Sequence, residues 1–434
     1  MSVLFKDISI LSMTKKHGFI QKGSVLVEDG KIVFVGEKLP EGVSAKRIIS
    51  GEGKLLLPGL VNAHTHLPMA ALRGYADDYP LQTWLFEHVF PVEARLNEEC
   101  VEICAKIGIA EAIASGTTSV SDMYFFCNGI ARAVAETGIR ANLSRAVTWD
   151  QSAPFTKENV RFAEAISLYE TWHNAACGRI RVDAAVHAEY TSAFDAWKAV
   201  AEFAAEKGIG LQFHLSETRS EHDACVAKYG KTPAQVLDEA GLLTERSLAA
   251  HCVFLTDEDI SLLAERKVSI AHNPVSNLKL ASGVAPVPKF LQAGIHVALG
   301  TDSVASNNNL DLFEEIKLAA ILHKGVHEDA ALVNAETALT MATVNGARAQ
   351  GRQGETGVIL EGACADVIVL SLDRPGMVPC HNALSATVYV ANGSDVCLTM
   401  VDGQILYENG AFTTIDWPKL KRQFEKIVKP QLFG

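Results

Sequence analysis

The sequence predicts an α/β fold: a (β/α)8 barrel of the TIM type, carrying a small β-sandwich domain built from both chain ends. Three observations predict it. Short apolar runs alternate with helical patterns through the middle of the chain. Eight such units occupy roughly 300 residues there, which suits a closed barrel. Both ends read instead as alternating strands joined by hairpin turns.

Residues 1–57 form the N-terminal part of the sandwich, with strand-like runs at 23–27 and 31–35 around the turn signal Glu28-Asp29-Gly30. Residues 58–355 form the barrel. Its strand candidates are 60–66, 117–122, 141–146, 182–187, 210–214, 248–251, 268–272 and 296–301. Helical spacing recurs between them, at 98–115, 160–173, 196–207, 232–239, 257–265, 285–293 and 310–322. Strands alternating with helices imply a parallel sheet buried on both faces. A doubly wound open sheet is the alternative, but no GxGxxG turn follows the first strand candidate. Residues 356–434 complete the sandwich: 366–370, 386–390 and 398–401 are apolar strand-like runs, Asp402-Gly403 is a hairpin turn, and 417–428 has helical spacing.

Composition narrows the class. Of 434 residues, 48% are hydrophobic and 21% charged, as in soluble globular proteins. A chain this long buries enough surface to need no disulfide staples. Its net charge of −12, without any Lys/Arg cluster, argues against a nucleic-acid polymer as partner. The nine cysteines form no CxxC pair, and Cys100 and Cys104 share one helix face, the pattern of reduced thiols. Lys6 and Asp7 break the apolar stretch at the N-terminus, so no signal peptide is visible. No stretch approaches the ~20 apolar residues of a membrane span. The expectation is a cytoplasmic protein acting on a small molecule, compatible with a homo-oligomer.

The ends of the strand candidates carry the chemistry. They run into His64 and His66, Asp122, Arg145, His187, His214, His251, His272 and Asp302. In barrel enzymes the active site lies at these carboxyl ends. His64 and His66 are two apart on a strand, so both imidazoles face one side, and imidazole suits zinc, iron or nickel. His214 closes another strand as a third ligand. Glu217, three residues later, stands where a proton shuttle beside a metal belongs. The competing reading, a solvated loop glutamate, loses to its neighbours. Asp302 ends an apolar strand with a carboxylate costly to bury otherwise, and reads as metal ligand and base. His251 and His187 read either as hydrogen-bonded structural histidines or as site groups, His251 stabilising the attacking oxygen and His187 donating to substrate. His272 reads as support and Asp122 as a structural anchor.

These residues resemble the amidohydrolase superfamily. The likeness runs through Pro58-Gly59-Leu60-Val61-Asn62-Ala63-His64-Thr65-His66, the histidines of strands five and six and Thr301-Asp302 on strand eight. Binuclear members place a bridging lysine or glutamate at the end of strand four. His187 stands there instead, so the resemblance implies one Zn²⁺ per subunit, with Fe²⁺ as the alternative, held by His64, His66, His214 and Asp302.

Finer motifs resemble the methylthioadenosine/S-adenosylhomocysteine deaminases. They are Leu72-Arg73-Gly74, Trp84-Leu85, Pro91-Val92-Glu93, Asp122-Met123-Tyr124, His251-Cys252-Val253, the run from His272 to Leu280 and the run from Gly300 to Asn308. The likeness implies a purine nucleoside substrate, deaminated hydrolytically at C6. It implies that Glu93 binds the ribose hydroxyls, that Arg145 and His187 contact substrate and that Trp84 lies over it. Glu217 and Asp302 would touch substrate while handling the protons. The family's arginine in the loop after strand three is absent: that loop reads Gln151-Ser152-Ala153-Pro154-Phe155-Thr156-Lys157. Phe155 suits an apolar 5′ group, and Lys157 or Arg161 is the substitute for the arginine. The rival readings are a deaminase or chlorohydrolase of another heterocycle (guanine, a pyrimidine, a triazine), a cyclic amide hydrolase, and a non-enzymatic binding protein on a decayed barrel. Glu93 opposes the first, because only a nucleoside offers it a diol.

Overall fold

A computed structural model describes residues 2–151 and 153–434; Ser152 of the loop after strand three lies outside the described residues. All eight barrel strands form where the apolar runs place them: Leu60–Thr65, Thr117–Tyr124, Arg140–Val147, Ile180–Val186, Leu211–Leu215, Ser247–His251, Ser269–His272 and Val297–Leu299. They pair in parallel in chain order. The first and last strands meet through side chains as much as backbone. The Asp302 N–H donates to the His64 carbonyl at 3.0 Å, and Asn62 exchanges bonds with Thr301, Nδ2 to Oγ1 at 2.7 Å and Thr301 N–H to Oδ1 at 3.1 Å. His64 and Asp302 are thereby drawn together at the seam.

Inside the barrel the side chains are small. Ala63, Leu248, Ala250, Ala271 and Ala298 form one buried cluster drawn from the first and the last three strands. The helices pack outside, and polar caps set their starts: Asn97 accepts from the Cys100 N–H ahead of Glu98–Ala114, and Thr218 from the Glu221 N–H ahead of Arg219–Tyr229. Gly208, at φ +66°, ends Phe194–Lys207 in the left-handed conformation that a Cβ disfavours.

The chain ends build a nine-stranded mixed sheet. Its order is Ala411–Phe412, Gln404–Glu408, Val396–Val401, Val367–Ser371, Lys54–Pro58, Ser2–Leu11, Phe19–Glu28 and Lys31–Gly36, with Arg47–Ser50 paired beside Ser2–Leu11. Val25, Val27 and Ile32 from one end of this order share an apolar core with Val367, Leu398 and Met400 from the other. The sheet therefore folds over itself. The expected sandwich is one continuous sheet, and its first strand shifts register between Phe5 and Ile8, where Asp7 sits at φ 55°.

One expected element changes type, and the helices Cys127–Thr137 and Arg219–Tyr229 form where no helix was expected. Residues 386–390, read as a strand, belong to the helix Ala383–Tyr389. The Asn382 side chain caps it by accepting from the Ser385 N–H at 2.9 Å, and Ala383, Ala386 and Val388 pack into the core outside the barrel. A mostly apolar five-residue run has no period that separates a buried helix from a strand, so the cap and the packing decided it. The terminal helix runs past its expected end, through Trp417–Gln423, a π-helical turn at Phe424–Val428 and Lys429–Phe433. Among the described residues no helix is long and apolar enough to cross a membrane.

The folded-over sheet is locked to the barrel by a buried ion pair. Arg140, at the start of the third barrel strand, grips Asp366 with Nε at 2.7 Å and Nη2 at 3.0 Å; the arginine side chain is 3% exposed and the aspartate 0%. The second carboxylate oxygen also accepts the Asp402 N–H at 2.8 Å. Removing one partner strands the other charge in the interior. Arg140→Ala is expected to cost about 3–5 kcal/mol of stability. Denaturant unfolding checks this, and a midpoint unchanged from that of the parent would contradict it.

Candidate metal centre and active site

Five imidazoles and two carboxylates converge at the carboxyl end of the barrel. His64 lies 4.8 Å from both His66 and His214, centroid to centroid, and 5.6 Å from His251. His187 stands 4.7 Å from His214. Asp302 Oδ1 is 3.2 Å from His66 Nε2 and 3.7 Å from His64 Nε2. The backbone aims these groups at some cost. Ser216, His251, Cys252 and Asp302 all have positive φ, between 46° and 70°, at the points where strands turn into loops.

The donor set fits a metal. His66 Nδ1 donates to the Met123 carbonyl at 2.5 Å, and His214 Nδ1 to the His187 carbonyl at 2.7 Å. Each Nε2 is then left as the free lone pair, and the two Nε2 atoms face each other 3.4 Å apart. Facing lone pairs repel unless a cation or a proton lies between them. His64 Nε2 is buried without any hydrogen-bond partner among the described residues. His64, His66 and His214 offer ligand atoms within 4.8 Å of one another, as do His64, His251 and Asp302. Burial, then the neighbouring imidazoles, hold His64 and His214 well below the usual histidine range, so both are neutral and ready to ligate. For His66, burial is outweighed by the Asp302 carboxylate, which raises it to about 9. The group is thus built to hold one positive charge at its centre.

The supporting residues are spread along the chain. Asp302 Oδ2 accepts from Ser276 Oγ at 2.7 Å and Ser306 Oγ at 2.9 Å. His66, with other imidazoles beyond it, outweighs burial and keeps Asp302 ionised, well below the usual carboxylate range. Glu217 is 6% exposed and is raised above its ordinary value, chiefly by burial. Its Oε1 accepts from Ser282 Oγ at 3.0 Å, and its Oε2 lies 3.8 Å from His251 Nε2. His251 Nδ1 donates to Asn277 Oδ1 at 2.8 Å, which turns Nε2 toward Glu217. Ser276, Asn277 and Ser282 all come from the segment after the seventh strand, and sequence reading assigned none of them a role. The only signal was the place of Ser276 and Asn277 in the motif run from His272 to Leu280; Ser282 lies just beyond it.

Glu93 and Trp84 sit in the long connection between the first strand and Glu98–Ala114, Trp84 opening the π-helical turn Trp84–Val89 and Glu93 ending the short helix Phe90–Glu93. Lys279 pins that loop through Asp77 at 2.5 Å, and Arg95 pins it to the Leu432 carbonyl at 2.8 Å. Glu93 accepts from the Tyr124 hydroxyl, and Tyr124 lies 6.4 Å from His66. Burial raises Glu93 to about 7. Trp84 is buried, with its indole N–H lacking an acceptor among the described residues. His187, lowered to about 4 by burial, contacts Thr191 Oγ1 at 3.3 Å through Nδ1.

Arg145 is not brought to this cluster. Its Nε pairs with Glu164 at 2.6 Å, on the helix Val160–Trp172 outside the barrel, and Nη1 donates to the Ala146 carbonyl at 2.6 Å. Asp122 is an anchor: its Oδ1 accepts from the Leu67 N–H at 2.6 Å and Thr65 Oγ1 at 3.0 Å. His272 is buried 6.1 Å from His323, behind the strand and away from the ligand group. In the loop after strand three, Phe155 stacks edge-on to Trp149 at 5.4 Å, Lys157 is exposed, and Arg161 Nη1 donates to the Thr148 carbonyl at 3.0 Å.

Residues 55–406 match the sequence model described as "Amidohydrolase family". The chain is 43% identical over 429 residues to a 5-methylthioadenosine/S-adenosylhomocysteine deaminase of Thermoanaerobacter pseudethanolicus, covering 99% of each chain. It is 44% identical over 431 residues to a 5'-deoxyadenosine deaminase of Methanosarcina mazei, covering 98% of each. In structure it resembles a zinc-bound adenosine deaminase from Xanthomonas campestris, with a TM-score of 0.93 at 35% identity over 99% of this chain and 98% of that one. The match of sequence across both domains, and of fold across the barrel that gathers the five histidines, has one consequence: this chain belongs to the amidohydrolase family and, within it, to the methylthioadenosine/S-adenosylhomocysteine deaminase group.

Proposed function

We propose that this protein hydrolytically deaminates adenine nucleosides at C6, taking 5′-methylthioadenosine, S-adenosylhomocysteine, 5′-deoxyadenosine or adenosine to the inosine analogue and ammonia. The observation that carries this reading is the meeting of a protonatable Glu217, an ionised Asp302 and His251 around one ligand group. The names of the relatives support the substrate class.

His64, His66, His214 and Asp302 would hold one zinc ion, and the zinc-bound neighbour supports that choice over iron. Such an ion supplies Lewis-acid chemistry, lowering the pKa of water from about 15.7 toward ~7. The remaining steps belong to the chain's own side chains. Asp302, held ionised, takes a proton from the attacking water. Glu217, whose raised pKa keeps a proton available, gives it to a ring nitrogen, so that C6 accepts attack without charge building on the ring. Asp302 then passes its proton to the departing amine, and the hydroxyl on C6 returns a proton to Glu217 as the carbonyl forms. His251, oriented by Asn277, hydrogen-bonds through Nε2 to the oxygen newly bound at C6. Each acid–base step is worth about 10²–10⁴-fold.

Glu93 binds the ribose diol, with Tyr124 fixing one of its oxygens. Trp84 covers the substrate, and His187 donates to it. Phe155 suits an apolar 5′ group better than the carboxylate of S-adenosylhomocysteine, because that loop offers no arginine. We therefore expect methylthioadenosine or 5′-deoxyadenosine to be at least as good as S-adenosylhomocysteine by kcat/KM. Loss of adenine absorbance and ammonia release across the four nucleosides test this. In the same panel Glu93→Ala should lose about 10- to 150-fold in kcat/KM on nucleosides and far less on free adenine. A strong preference for S-adenosylhomocysteine that Lys157→Ala or Arg161→Ala abolishes would overturn the reading of the loop. Ring opening of a cyclic amide releases no ammonia, so absence of ammonia from every nucleoside would overturn the function.

A further inference from the structure

Behind Glu217 lies a second pair of carboxyls that the reaction does not use. Glu189 opens the short turn Glu189–Thr191 after the fourth barrel strand, and Glu221 sits in the first turn of Arg219–Tyr229 after the fifth. Glu189 is 2% exposed and Glu221 5%. Neither oxygen of Glu189 has a hydrogen-bond partner among the described residues, and nor has Oε1 of Glu221. Glu221 Oε2 does: it accepts the backbone N–H of Glu217 at 2.8 Å and of Thr218 at 3.3 Å.

A glutamate at the third position of a helix, returning to the cap residue's N–H, is an ordinary capping box. Two features here are not ordinary. The glutamate is buried, and its reach extends one residue further back, to the N–H of the proposed proton shuttle. An ionised carboxylate without donors is among the costliest groups to bury, and two in contact cannot both ionise. Burial first, and Glu221 second, push Glu189 up to about 9, which leaves it carrying a proton that Glu221 can accept. The groups that face the pair are Tyr190, Cys225, Lys228 and His251, of which Lys228 and His251 favour the ionised state.

We propose that Glu189 and Glu221 share a single proton and act as a positioning pair for Glu217. Glu189 donates to Glu221, and Glu221 remains the acceptor that clamps the backbone of Glu217 and Thr218. The clamp sits where it is needed, since Ser216, just before Glu217, has φ 46° and the chain turns sharply there. Both carboxyls are positioning residues, because neither touches the reacting atoms. The proposal rests on Glu217 as the proton shuttle.

The test compares Glu189→Met, Glu189→Gln and Glu217→Gln by kcat, KM and metal content. Met fills the volume without donating, so Glu189→Met should lose ~10- to 100-fold in kcat through misplacement of Glu217, with KM and metal content unchanged. Gln restores the donor through its amide, so Glu189→Gln should recover most of that loss. The infrared difference between the parent and Glu189→Gln should show a protonated carboxyl band at neutral pH that the variant lacks; this reading survives even if Glu189→Met fails to fold. Equal activity of the Met and Gln variants, a Gln variant as impaired as Met, or no such band would each overturn the pair. Full activity of Glu217→Gln would instead overturn the shuttle on which the proposal stands.

Discussion

His214→Ala removes the metal and the activity together. The purified parent protein is expected to hold one divalent ion per chain, and the variant to hold none after dialysis. His214 is fixed twice to the same residue: its backbone N–H and its Nδ1 both donate to the His187 carbonyl, at 2.9 Å and 2.7 Å. That leaves Nε2 committed to the centre it shares with His66. Loss of a residue that merely supports a ligand costs about 10–100-fold in metal affinity, and loss of the ligand itself should exceed that. Metal analysis alongside an ammonia assay checks both halves. Two ions per chain in the parent, or activity that survives removal of the metal, would refute the mononuclear site.

Glu217→Gln separates the proton from the metal. Gln keeps the shape, and its amide oxygen still accepts from Ser282, while the backbone clamp of Glu221 on residue 217 is untouched. What disappears is the ability to give and regain a proton. We expect kcat to fall at least ~100-fold, with metal content unchanged and KM little altered. If the substitution strips the metal, Glu217 is a ligand and the shuttle must be sought elsewhere. His251 is then the nearest candidate, with its Nε2 3.8 Å from the carboxylate.

Much of this molecule is legible in its sequence, for local reasons. Barrel strands are short apolar runs buried on both faces, and such runs announce themselves without alternation. A histidine pair two apart on a strand must face one way, so His64 and His66 could be paired before any fold was known. His214, Glu217 and Asp302 follow from the same logic, because polar groups that close apolar strands in a barrel point to one mouth. The 386–390 run shows the limit. Four apolar residues and one threonine carry no period, and only the Asn382 cap and the packing of Ala383, Ala386 and Val388 made it a helix.

Arg145 shows a second limit. It lies near the end of the strand Arg140–Val147, between Ser144, which donates to the Asp122 carbonyl, and Ala146, which packs with Met123 and Ala185. Alternation therefore turns it outward to Glu164, a parity that a list of strand ends ignores.

What the sequence by itself determined is which residues can bind a metal or move a proton, and which strand end each occupies. Only the tertiary structure decided what holds them: Asn277 on His251, Ser276 and Ser306 on Asp302, Tyr124 on Glu93, and the Glu189–Glu221 pair behind Glu217. The reason is physical. Strand periodicity is a short-range property of the backbone, repeated every two residues and visible in any window. The contacts that tune a site join residues tens of positions apart, and they exist only once register, barrel closure and the path of each loop have been set.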